Sequence, residues 1–189
     1  TSATSFHKEK NRTADIRAKN CAEIAKRDSE QYLIWCDTNL EADLLKKYIP
    51  EAVEVRGSDS PQRKEQCALD FKQGKTRVLI SKPKIFGYGM NFQKCHNVIF
   101  CGLTYSYENY HQALRRIYRF GQKHTVYSYI ALGTTEMHIL ETVNKKKELQ
   151  YNLKNQMDLS VQEIQLLNFE EREVKSNLIQ NTIELPSFI

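Results

Sequence analysis

The chain has 189 residues, of which 40% are hydrophobic and 27% charged, and a formal net charge of +5. That length suits one domain with an appendage. With no apolar run long enough for a bilayer and no signal-peptide pattern at the N-terminus, a soluble cytoplasmic protein without membrane partners is expected. The charge is uneven: Lys and Arg outnumber Asp and Glu 25 to 17 over residues 1–150 and trail them 3 to 6 over 151–189. A basic body is compatible with phosphate-rich partners and equally with an ordinary solvated surface.

Residues 7–30 are polar, with apolar positions at Ile16, Cys21 and Ile24, the spacing of a weakly amphipathic helix. Residues 32–36 form a short apolar run, the pattern of a buried strand, and Asp37, Thr38 and Asn39 then offer cap chemistry for a helix over 39–48. A second strand at 53–55 is closed by polar residues around Gly57. Ser60-Pro61 opens a helix over 61–73, with proline in its first turn and Cys67, Ala68 and Phe71 on its inner face. Strands follow at 77–81, 97–101 and 126–130. They are separated by a Gly- and Lys-rich loop over 82–94 and by a helix over 106–119 that Gly121 stops. Helices are predicted over 134–150 and 158–183. The alternation predicts an α/β layer structure with a mostly parallel sheet. In such sheets ligands sit beyond the carboxyl ends of the strands, which directs attention to residues 37–39, 57–63, 82–91 and 102–122.

Gly74-Lys75-Thr76 looks like the end of a phosphate-binding loop, but Leu69 stands where the pattern needs glycine. The order is also reversed, from helix into strand, so a helix cap and tight turn is the expectation. Cysteines at Cys21, Cys36, Cys67, Cys95 and Cys101 form no CxxC pair, which speaks against a zinc site; no metal ligands are assigned. Cys36 and Cys101 lie in strand-like runs and are expected in the core.

The segment from Gln112 to Gln122 carries the most chemistry. On a helix, Gln112, Arg116 and Arg119 fall at steps of four and three and share one face. Two guanidiniums and an amide suit triphosphate oxygens, because arginine stays charged and bonds bidentately. Such arginines stabilise charge that develops on a transferred phosphoryl group. A basic solvent-facing helix is the plainer alternative. Tyr105, Tyr107, Tyr110 and Tyr118 surround this segment and either stack on a base or pack locally.

Gln112, Ala113, Arg116, Arg119, Gly121 and Gln122 together resemble motif VI of superfamily 2 helicases, in the form found in Swi/Snf-type remodelling ATPases, with Arg115 and Tyr118 at positions often Asp and His. Gly87-Tyr88-Gly89-Met90-Asn91 resembles the G-x-G-x-N of motif V, preceded by Ser81-Lys82-Pro83-Lys84 in place of the usual Ser-Thr. Leu33 to Asn39 resembles motif IV. Gly57 with Arg63, and Thr135-Glu136 with Ile139 and Lys145, resemble further segments of that lobe, so the series runs in order over residues 31–150. The variants around Ser81 and Tyr118 look most like helicases of phages and prophages.

The resemblance implies a RecA-like parallel sheet with helices on both faces, flanked by a helical extension at 1–30 and a helical appendage at 151–189. It implies Arg119 and Arg116 as arginine fingers and Gln112, Gly89 and Asn91 near ATP. Ser81, Lys82, Lys84, Thr38 and Asn39 would face the DNA backbone, the two lysines as phosphate-facing cations. The remaining parts, a phosphate-binding loop and the ligands of Mg²⁺, would come from an N-terminal RecA-like lobe. The implied activity is ATP-driven translocation on, or remodelling of, duplex DNA. A non-hydrolysing DNA-binding or interaction module on the same fold, and the lobe of an RNA helicase, are the alternatives.

Overall fold

A computed structural model describes residues 3–86, 90–133 and 137–158. Its contacts divide the chain into two compact units, Thr1–Asn144 and Lys145–Ile189. In the second unit residues 145–158 are helical and exposed. The helix expected over 158–183 lies, beyond residue 158, outside the described residues.

The first unit is built from α1 (Ala3–Arg12), α2 (Ala14–Ala25), β1 (Tyr32–Trp35), α3 (Asn39–Tyr48), β2 (Val53–Val55), α4 (Pro61–Lys72), β3 (Val78–Ser81), β4 (Asn97–Phe100), α5 (Tyr107–Leu114) and β5 (Tyr127–Ile130), followed by helical residues 137–144. The strands form one parallel sheet in the order β2-β3-β1-β4-β5. The predicted α/β class and all five strands are present.

The inner strands β1, β3 and β4 are short and buried along their whole length, which explains why they read as apolar runs, whereas the edge strands β2 and β5 are only partly covered. Alternate residues still serve different layers. Leu33, Trp35, Leu79, Val98 and Phe100 pack with Phe71 of α4, with Phe86 and Phe92 of the loop after β3, and with Ile117, Ile139 and Val143. Phe92 meets both Phe71 and Phe86 edge-on, at 5.3 and 5.6 Å between ring centroids. Ile34, Cys36, Ile80, Ile99 and Cys101 face the other way, onto α2 and onto Leu45 and Ile49 at α3.

The single helix expected over 7–30 is two helices. Backbone hydrogen bonds continue past the break, from the Thr13 amide to Glu9 and from the Arg17 amide to Thr13. The Thr13 hydroxyl also bonds back to the carbonyls of Glu9 and Lys10, a contact that bends helices. Of the apolar positions read from the sequence, Cys21 and Ile24 face the core and Ile16 does not. Ile16 is 63% exposed, while Ala14, Ala18, Cys21, Ala22 and Ala25 are buried. Small side chains let α2 lie close against α3 and the sheet.

A buried ionic cluster ties these N-terminal helices to the carboxyl ends of β1 and β4. Arg17 Nη1 donates to Glu41 Oε1 at 2.8 Å and to the Cys101 carbonyl, and its Nη2 donates to the Lys10 carbonyl at 2.7 Å. Lys10 Nζ donates to Asp37 Oδ2 at 2.5 Å and to the Leu103 carbonyl at 2.7 Å. Glu41 Oε2 accepts the amides of Asp37 and Thr38, and the Glu41 amide donates to the Thr38 hydroxyl, which completes a capping box at the start of α3. Gly102 is required beside this cluster, because a Cβ there would lie 2.5 Å from Glu41 Oε1 and 2.7 Å from its carboxyl carbon.

Gly74 has φ +82, its amide donates to Phe71 and the Lys75 amide donates to Asp70. That pairing is a Schellman cap at the end of α4. The Gly74-Lys75-Thr76 triplet therefore closes a helix, as its order in the sequence predicts. Cys36 and Cys101 are core residues, and burial pushes the Cys36 thiol up to about 12.

Candidate functional site

The helix expected over 106–119 ends at Leu114. Ser106 caps its start, accepting the Asn109 amide at 3.2 Å. Beyond Leu114 the amides of Arg116 and Ile117 bond three residues back, to Ala113 and Leu114, and the Tyr118 amide shares the Leu114 carbonyl. The carbonyls that would carry the helix onward are taken by other groups. The Arg116 carbonyl accepts the amide of Phe92, from the loop after β3, at 2.9 Å. The Ile117 carbonyl accepts Nε2 of Gln122 at 3.2 Å. The regular ladder thus breaks after Leu114, and Arg116 and Arg119 do not stand on one helix face with Gln112.

The three side chains nevertheless converge. Gln112, Arg116 and Arg119 line one open cleft of about 870 Å³, together with Asn91, Arg115 and others. Among the described residues no carboxylate lines it, and its three arginines suit a polyanion. Arg116 is buried, with 5% of its surface exposed, whereas Arg119 is half-buried and its Nε donates to the Arg115 carbonyl at 3.1 Å. Asn91 Oδ1 accepts the Gln93 amide at 3.0 Å, which fixes the turn that places Asn91 at the rim. Gly89 lies outside the described residues, as do Thr135 and Glu136.

Two glutamines lace the loop after β3 to the segment after α5. Gln122 Nε2 donates to the Gln93 carbonyl at 2.8 Å, and Gln93 Nε2 donates to the Phe120 carbonyl at 3.1 Å. Gly121 sits between them at φ +83, and a Cβ there would come within 3.3 Å of Gln93 Nε2. Gln93 escaped the sequence reading, because nothing in a single loop residue reveals a partner 29 positions away.

The residues expected to face a nucleic-acid backbone separate into two groups. Asn39 and Lys82 line a second hollow of about 350 Å³ with Arg56, Gly57, Ser58 and Ile85, at the carboxyl ends of the adjacent strands β2, β3 and β1. Lys84 is exposed in the following turn. Ser81 is buried and its hydroxyl donates to the Val55 carbonyl at 3.0 Å, so this side chain is not presented to a ligand. It ends β3 inside the sheet, which its position next to Lys82 does not reveal. Thr38 uses its hydroxyl oxygen as the cap of α3. Arg56 was missed. It follows β2 as Lys82 follows β3, and it is held by Glu54 and Asp43. Arg63 pairs with Asp59 at 3.4 Å, a structural role.

Residues 16–121 match the family described as Helicase conserved C-terminal domain. Among curated relatives, the chain is 27% identical over 165 residues to the Uncharacterized ATP-dependent helicase YqhH of Bacillus subtilis, covering 84% of this chain and 29% of that protein. It is 30% identical over 139 residues to the ATP-dependent RNA helicase FAL1 of Gibberella zeae, covering 71% and 33%. The chain thus spans about a third or less of these two relatives. The solved C-terminal domain of the DEAD-box protein Dbp5 superposes with a TM-score of 0.58 at 19% identity, over 69% of this chain and 77% of that one, and shares the fold. With its parallel RecA-like sheet and a family match over more than half its length, the chain belongs to the helicase conserved C-terminal domain family.

Proposed function

We propose that the chain is the second motor lobe of an ATP-dependent helicase or translocase acting on DNA, working with an N-terminal RecA-like lobe of the same polypeptide. The observation that carries this reading is the cleft in which the side chains of Gln112, Arg116, Arg119 and Asn91 meet. Guanidiniums bind phosphate oxygens in planar, bidentate fashion and stabilise charge that builds on a phosphoryl group as it transfers. Arg119, half-buried, is the finger; Arg116, buried beside it, is the fixed cation that holds the phosphates. Among its described lining residues there is no carboxylate to hold a hard divalent cation, and in this reading the other lobe supplies Mg²⁺ and the phosphate-binding loop. Closure of the two lobes completes the site and couples hydrolysis to movement. Asn39, Arg56 and Lys82, in the second hollow, take the nucleic-acid backbone.

The test uses a polypeptide carrying both lobes. Arg119→Ala is expected to lower nucleic-acid-stimulated kcat by roughly a hundredfold or more while KM for ATP changes little, because a finger acts mainly in the transition state. An unchanged stimulated rate rejects the assignment and favours a non-hydrolysing module. The similarity to an RNA helicase supports a second reading, in which RNA is the track. The form of the Gln112–Gln122 segment favours duplex DNA, and ATPase stimulation by duplex DNA against duplex RNA decides between them.

A further inference from the structure

The buried ionic cluster joins the two turns that lead into the two hollows. One turn runs from β1 through Asp37 and Thr38 into α3, whose first residue, Asn39, lines the second hollow. The other runs from β4 through Cys101 and Leu103 into α5, whose Gln112 lines the arginine cleft. β1 and β4 pair in register, Trp35 with Phe100 at their carboxyl ends, so the two turns leave the sheet side by side. Two buried cations each bond to both of them. Lys10 Nζ donates to Asp37 Oδ2 in the first turn at 2.5 Å and to the Leu103 carbonyl in the second at 2.7 Å. Arg17 Nη1 donates to Glu41, which caps the first turn, and to the Cys101 carbonyl in the second. Lys10 is 3% exposed and Arg17 is fully buried, yet neither lines either hollow.

We propose that Lys10, backed by Arg17, is a positioning residue that locks the two turns into one rigid piece, so that nucleic acid held at Asn39 is felt at Gln112 and in the arginine cleft. The proposal rests on the reading of the chain as a motor lobe and adds to it the device that couples its two sites. A buried ion pair contributes little net stability over an apolar filling of the same volume, so stability is a poor account of two cations in this place. What an ammonium or a guanidinium supplies is direction: short bonds to two named acceptors fix the spacing of the turns that carry them. Packed elements joined by such bonds transmit a displacement at one site to the other. Lys10 is the bridge to cut, because its partner Asp37 is 33% exposed, whereas the Arg17–Glu41 pair is wholly enclosed.

The experiment measures ATP hydrolysis by the two-lobe protein, first without nucleic acid and then across a titration with duplex DNA and, separately, duplex RNA. Lys10→Met is expected to lower the ratio of stimulated to basal rate by about threefold to tenfold, with the basal rate held within about twofold. Combining it with Asp37→Asn removes the carboxylate left behind. That double variant is expected to return the thermal unfolding midpoint toward the native value without restoring stimulation, because a neutral pair fills the space but does not tie the turns. Stimulation that is unchanged in Lys10→Met overturns the proposal. So does a loss of basal and stimulated rates in equal proportion, or a recovery of stimulation together with the midpoint, since either makes Lys10 a brace for the fold alone. Should Lys10→Met not fold, Asp37→Asn by itself makes the same comparison, with the same outcomes deciding. If neither nucleic acid stimulates the native two-lobe protein, the motor-lobe reading falls and the coupling device with it.

Discussion

Glu41 shows how single residues set the stability of the lobe. Burial by itself would push its carboxyl up, but the charges of Arg17 and Lys10, the Asp37 amide and the Arg17 hydrogen bond outweigh burial and hold it below the ordinary value of 4.5. A carboxyl whose pKa is lowered by folding adds stability that is complete above its unfolded value and is lost as pH falls through the folded one. The lobe is therefore expected to lose stability steadily below about pH 4.5. Glu41→Gln leaves Arg17 buried without its counter-charge and should cost about 3–5 kcal/mol at pH 7. It should also flatten the acid limb, as read by urea unfolding at a series of pH values. An acid limb of unchanged slope in Glu41→Gln would place the pH dependence elsewhere. This cluster is not legible in the sequence: Lys10 and Arg17 look like solvent-facing charges on a polar helix, and only the fold brings them to Asp37 and Glu41.

At the scale of the element, the segment after α5 shows where spacing rules stop. Steps of four and three place Gln112, Arg116 and Arg119 on one face only if the helix runs through all three. It ends at Leu114, where the amides of Arg116 and Ile117 bond three residues back instead of four, and Phe92 and Gln122 take the Arg116 and Ile117 carbonyls, yet the side chains still share a cleft. Their convergence depends on the lacing by Gln93 and Gln122 and not on helical periodicity. Gln122→Ala is accordingly expected to lower stimulated kcat in the two-lobe protein by roughly tenfold to a hundredfold, since small displacements of positioned groups carry such losses. ATP hydrolysis at the native rate would show that the lacing is dispensable. Gly121→Ala must adopt φ near +83 against Gln93 and is expected to cost about 1–2 kcal/mol in equilibrium unfolding. The α4 cap makes the opposite case. There the local pattern of helix, glycine and strand was enough to read Gly74 correctly, because a Schellman cap is made wholly from neighbouring residues.

For the whole molecule, the chain is expected to show no ATP hydrolysis alone and to gain nucleic-acid-dependent hydrolysis when an N-terminal RecA-like lobe is joined to it; a measurable rate from these 189 residues by themselves overturns the half-site reading. What the sequence determined by itself is the class and order of the elements. Short apolar runs, Ser and Thr caps and well-placed glycines are local signals, and a parallel sheet with both faces covered follows from them. It also singled out Arg116 and Arg119 as the candidate arginines, because their spacing with Gln112, Gly121 and Gln122 is specific. The tertiary structure decided what depends on groups far apart in the chain. It set Ser81 inside the sheet, set alanines rather than Ile16 against the core, and made Thr38 a cap for α3. It joined Asn39 to Lys82 in one hollow and left Phe120 in water beside the arginine cleft. Whether a polar side chain is spent on its own fold or kept for a ligand depends on the atoms around it, and those atoms come from distant positions in the chain.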